Sequence, residues 1–197
     1  EKVFWRQVLD IYATSVDYDP SAEASQRFFA TVQNKMHWAA HGHTAAEIVH
    51  ARADAALPNM GLTSWAGSER GKPPVRADAG IAKNYLHQDE LEPLNRIVTA
   101  YLEFAEVQAM GRRPMAMADW IAKLDEFLSL ADRAVLDHAG RVSQEQARLK
   151  AEAEYEKFRT ARINAESEVE RAFAAATKRV EQTAKALKKP RVPKGKG

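Results

Sequence analysis

Four of the chain's six histidines fall in residues 36–50, MHWAAHGHTAAEIVH: His37, His41, His43 and His50, with Glu47 between the last two. His37 and His41 stand at i and i+4, one above the other on a helix face, a spacing that can chelate a transition metal. Across Gly42, His43 and His50 could approach with Glu47, giving a zinc or iron site built from two helix ends. The ligand set this predicts is His37, His41 and His50, and a divalent metal is the cofactor it would take. Two features favour a structural junction instead. Thr44-Ala-Ala-Glu47 matches a capping box, which commits the Glu47 carboxylate to a backbone N–H. Glu47-x-x-His50 is half of a di-iron carboxylate motif, and the second Glu-x-x-His is missing from the chain. The junction is the simpler reading, and the metal is not favoured.

Arg133-Ala-Val-Leu-Asp-His138 is an Arg-x4-His pattern. It resembles the Arg-x4–6-His motif of the HEPN ribonucleases, which are all-helical and usually dimeric. The resemblance implies His138 as acid or base on a ribose 2′-OH and Arg133 as the holder of the phosphate. Ala134 departs from that pattern, in which a polar residue often follows the arginine. A surface arginine, and a histidine favoured as a cation near a helix C-terminus, explain the pair as well. A third candidate is the loop bearing Asn59, Ser64, Trp65, Ser68, Arg70 and Lys72, whose glycines and basic residues could receive an anion. It lacks the Gly-x-x-x-x-Gly-Lys-Ser/Thr order of a P-loop, and no strand precedes it. Asp17 and Asp19 read as a solvated acid and an N-cap.

The elements that must position these residues are helices. Val3, Phe4, Val8, Leu9, Ile11 and Tyr12 share one broad helical face. Asp19-Pro20 opens a second helix, through Phe28, Phe29, Val32 and Met36, which Gly42 interrupts. Thr44 starts a third, running to about Ala56. Residues 57–77 hold three prolines and three glycines and form a long loop, with Trp65 expected to pin it to the core. DAGIAKNYL reads as a short helix. Longer ones follow from Asp89 to Gly111 and through MADWIAKLDEFLSL, and RAVLDHAG reads as a helix closing at Gly140. Ser143 and Gln146 form a second capping box, after which neither Gly nor Pro breaks the chain before about Lys188. Phe158, Ala165, Val169, Ala172, Ala176, Val180 and Leu187 mark a narrow apolar stripe there, as in a coiled-coil arm or an element that clasps a partner.

Composition narrows the function classes. At 197 residues the chain can bury a real core, and with no cysteine it has neither disulfides nor thiolate metal sites. No apolar run approaches the roughly 20 residues that span a bilayer. The net charge of +2 is unevenly spread. Residues 185–197 carry six Lys/Arg and no acid, leaving 23 basic against 27 acidic residues elsewhere. A nucleic-acid-binding body would show the opposite balance, so polyanion contacts fall to Lys188, Lys189, Arg191, Lys194 and Lys196. The opening at Glu1, without methionine or a signal-like segment, suggests a preceding part.

Long literal blocks carry a family resemblance: KVFWRQVLDIYATSVDYDPSAEASQRFFATVQNKMHWA, TAAEIVHARADAALPNMGLTSW, IAKNYL, LNRIVTAYLEFAE and ADWIAKLDEFL. Over roughly residues 2–158 the chain resembles the C-terminal region of the virulence RhuM family. The resemblance implies a cytoplasmic bacterial protein, often encoded on mobile or pathogenicity-associated DNA, with DNA contact through a preceding regulator-like segment. It supplies no chemistry to carry over residue by residue. Fic activity, found beside some RhuM-like segments, would need a His-Pro-Phe-x-x-Gly-Asn-Gly-x-Arg loop that this chain lacks.

The expectation is an all-α protein: a core of about seven helices over residues 1–142, a helical arm over 143–188 and a disordered basic tail over 189–197. Its expected role is the interaction or oligomerisation domain of a RhuM-like, virulence- or defence-associated, DNA-linked protein. The partner would be a second copy held through the long helix, or another protein, and not a membrane. The alternative is an HEPN-like ribonuclease or a metal-dependent nuclease.

Overall fold

The computed structural model describes residues 8, 10, 13–19, 21–111 and 114–187. Among them there is no strand: the architecture is all-α, six helices with short 3-10 turns. The chain divides into two compact units, Glu1–Tyr155 and Glu156–Gly197. The expected first helix lies largely outside the described residues, although Val8 is buried.

Helix α1 (Ala22–His41) begins later than Asp19-Pro20 suggests, because Ser21 is the cap. Its Oγ accepts the Ala24 N–H at 3.3 Å, and Asp19 instead accepts the Ser21 N–H at 2.8 Å. It ends where Gly42 turns left-handed at φ 76° and returns its N–H to Trp38 O. Phe28, Val32, Met36 and Ala39 form its buried stripe. Helix α2 (Ala45–Arg52) starts from Thr44 and stops short of Ala56. There the Ala55 N–H is taken by Glu154 Oε2 at 3.0 Å, and the chain leaves the helix.

The expected helix over DAGIAKNYL forms in two pieces, α3 (Arg76–Ala79) and a 3-10 turn (Ala82–Tyr85), with Gly80 between them. Tyr85 OH donates to Ala79 O and Asn84 Nδ2 to Asp78 O, which stitches the pieces together. Helices α4 (Gln88–Met110) and α5 (Met117–Leu130) match the sequence pattern closely. Leu94, Ile97, Tyr101 and Ala105 of α4, with Trp120, Leu124 and Leu128 of α5, complete the core around α1. Tyr101 OH donates to Trp120 O at 3.0 Å, joining α4 to α5 inside it.

RAVLDHAG is not a helix. Residues 131–143 run as an irregular connection. Asp132 adopts φ 54°, and the Arg133 N–H turns back to Leu128 O at 2.9 Å, so α5 closes there. The Leu136 carbonyl, which a helix would need internally, accepts from Lys35 Nζ at 2.7 Å. Lys35 is 9% exposed and its Nζ lies 2.8 Å from Asp125 Oδ1, so one cation ties α1 to α5 and to the connection.

Helix α6 (Gln144–Leu187) opens on the expected box: Ser143 Oγ accepts the Gln146 N–H and Gln146 Oε1 accepts the Ser143 N–H. Ala147, Ala151 and Glu154 are buried, and the first turns of the helix lie within the unit that runs to Tyr155. In the second unit the helix continues to Leu187. No described helix is long and apolar enough to cross a membrane.

Candidate functional site

Gly42 ends α1 and Thr44 starts α2, so His37, His41, His43 and Glu47 crowd into one junction. His37, 4% exposed, and His41 meet directly, with Nδ1 of the first 2.9 Å from Nε2 of the second. One proton must lie between those two nitrogens, so their lone pairs are not both aimed at a common metal. Burial drives His37 down to about 3, helped by the charge of His41. Burial likewise takes His41 to about 4, opposed by Glu90 and reinforced by His43 and Arg52. Both rings are therefore neutral near pH 7.

The rest of the expected ligand set is elsewhere. His50 is exposed on α2, and His43 Nδ1–H donates to His41 O at 3.0 Å. Glu47 Oε2 accepts the Thr44 N–H at 2.9 Å, while its Oε1 accepts the Arg141 N–H at 2.7 Å. Burial alone would raise this carboxyl, but the Arg141 and Thr44 N–H groups outweigh it and hold the pKa low. Gly140, at φ +84°, packs so closely that an added Cβ would stand 3.0 Å from Thr44 Cγ2. Glu47 thus clamps the segment before α6 onto the start of α2. Among the described residues no group of three His, Asp or Glu side chains is arranged to hold a metal ion.

Beside His41 lies a second polar pair. Arg52 Nη1 and Nη2 donate to the two oxygens of Glu90 at 2.6 and 2.5 Å, and Nη1 also donates to Tyr85 O. The Arg52 bonds take the Glu90 carboxyl down to about 2, and the same carboxylate caps α4 through the His87 N–H. With both forks filled, this pair is a strut between α2 and α4.

Arg133 and His138 sit on the irregular connection, both exposed. His138 Nδ1 accepts the Gly140 N–H at 3.0 Å, and its ring stands edge-on to Trp38 at 4.8 Å. No hydrogen bond or ion pair among the described residues joins the two side chains. In the loop, Trp65 Nε1 donates to Lys72 O at 2.7 Å, so the indole closes its own loop. Ser68 and Arg70 lie on a 3-10 turn there, and Asn59 is exposed with φ 51°. A shallow depression of about 430 Å³ lined by Arg76, Gly80, Arg148 and Glu152 offers two arginines. Both are neutralised: Glu152 lies 3.0 Å from Arg76 and 2.8 Å from Arg148, and Glu145 holds the other side of Arg148. Asp17 is more than a solvated acid, since its Oδ1 accepts the Met117 N–H at 2.8 Å and caps α5.

The remaining candidate is α6 beyond Tyr155. Val169, Phe173 and Val180 are 69%, 74% and 69% exposed. Phe173, absent from the stripe expected from sequence, makes the spacing Val169, Phe173, Ala176, Val180, alternating four, three and four. The row expected from sequence, through Ala165, Val169, Ala172 and Ala176, has the same spacing. The basic residues Lys188, Lys189, Arg191, Lys194 and Lys196 lie outside the described residues.

Fold and sites together define an all-α protein whose buried polar groups hold helix junctions, and whose last helix carries uncovered apolar side chains. The chain belongs to the Virulence protein RhuM family, whose model matches residues 1–166. No curated protein and no solved structure matches it.

Proposed function

We propose that this chain is an interaction domain that self-associates through α6 beyond Tyr155, within a virulence- or defence-associated, DNA-linked bacterial protein of the cytoplasm. The observation that carries the reading is the row of exposed Val169, Phe173 and Val180 on one helix. A single helix gains little stability in water from its own hydrogen bonds; tertiary packing of an apolar face supplies most of it. Covering those side chains on a partner removes apolar surface from water at about 25 cal/mol per Å². The junction polar groups support the same reading, because each is engaged in capping or pairing rather than directed at a substrate. The basic residues 188–196 supply the contact with nucleic acid.

The test is the full chain carrying Val169→Glu, Phe173→Glu and Val180→Glu, all compatible with an exposed helix. Light scattering should give a mass above the monomer for the parent chain and the monomer mass for the variant. Equal masses for the two chains would overturn the reading.

A further inference from the structure

Resting on the self-association proposed above, we infer that the partner of α6 is the same helix of a second copy, running antiparallel, with Phe173 of each chain seated on Ala176 of the other. Val169, Phe173, Ala176 and Val180 follow the four–three alternation of a two-stranded seam. A seam of that width suits one partner helix; the broad face of a core-facing helix has more apolar positions per turn.

Direction follows from size. In a parallel pair each residue meets its own copy, so Phe173 meets Phe173 and, one layer on, Ala176 meets Ala176. A crowded layer then adjoins an empty one, which close packing disfavours. In the antiparallel register Phe173 faces Ala176 twice, and Val169 faces Val180 twice. Every layer then holds one larger and one smaller side chain, or two equal valines. Charge agrees with size. Continuing the same alternation towards the N-terminus of the arm brings three charged residues, Glu166, Arg162 and Arg159, to inward positions of the sequence pattern. A parallel pair would set each of these charges against its twin, whereas the antiparallel register sets position 162 opposite 187 and 166 opposite 183, so that no like charges meet there. The overlap from residue 162 to 187 is roughly 40 Å long at the α-helical rise per residue.

The chain has no cysteine, so introduced thiols report cleanly. In the antiparallel register the two copies of residue 169 lie roughly 16 Å apart along the axis, beyond disulfide reach, while 169 and 180 of opposite chains are adjacent. Full chains with Val169→Cys or Val180→Cys should therefore stay uncross-linked under mild oxidation when alone. Co-expressed, they should give a covalent heterodimer in several-fold greater yield than either homodimer. Cross-linking of each variant with itself would overturn the antiparallel arrangement and leave self-association standing. A dimeric mass with no cross-link in any combination would overturn this seam as the contact. A monomeric parent chain would overturn both this inference and the reading it rests on.

Discussion

Acidification tests the account of the histidine junction. His37 has an ordinary value of 6.5 and is held at about 3 in the folded chain by burial beside His41 and Lys83. The unfolded chain therefore binds more protons than the folded one between those values, so stability is full above pH 6.5 and falls as the pH drops. Integrated from pH 7 to pH 5, His37 alone removes about 2 kcal/mol. His41, held at about 4, acts with the same sign, reduced because its ring is half-exposed. Glu90, held at about 2 by Arg52, stays charged in the folded chain and adds only a small slope of the same sign near pH 5, where the unfolded carboxyl, with its ordinary value of 4.5, begins to protonate. Urea unfolding at pH 7 and pH 5 measures the difference, and His37→Leu should remove most of it while lowering stability at pH 7 through the lost bond to His41. An equally steep loss in His37→Leu, or a parent chain more stable at pH 5 than at pH 7, would refute the reasoning.

Three further substitutions probe the joints of the body. Lys35→Met should destabilise by about 3 kcal/mol in denaturant titration, because Asp125 and the Leu136 carbonyl lose their shared cation. Thr44→Ala should cost about 1 kcal/mol as a lost N-cap, and Glu47→Ala more, since it also abandons the Arg141 N–H; equal costs would contradict the clamp. Gly61→Ala should cost well over 1 kcal/mol in melting experiments, because φ is +84° and the new Cβ would collide with Arg52 O.

What was legible in the sequence was whatever local chemistry decides. The Thr44–Glu47 and Ser143–Gln146 boxes form as written, Gly42 breaks the first long described helix, and α4 and α5 follow their apolar periodicity. Contacts between distant residues left no such trace. Arg52 and Glu90 are far apart in sequence and neither has a neighbour that announces the other. RAVLDHAG has helical composition, but a lysine on α1 claims its Leu136 carbonyl, and tertiary bonding overrides propensity. The histidines looked like ligands because i and i+4 spacing brings rings together. The structure shows that this closeness can end in a shared proton between two neutral rings. In the arm the apolar period was readable, and Phe173, whose side chain is exposed, sits one residue from the equally periodic Ala172.

The most direct test of the arm's role is sedimentation equilibrium of the unmodified chain over a concentration series at neutral pH. Association through an uncovered seam on α6 predicts a mass that rises with concentration from 22.0 kDa towards twice that value. A mass fixed at the monomer value across the series would contradict it.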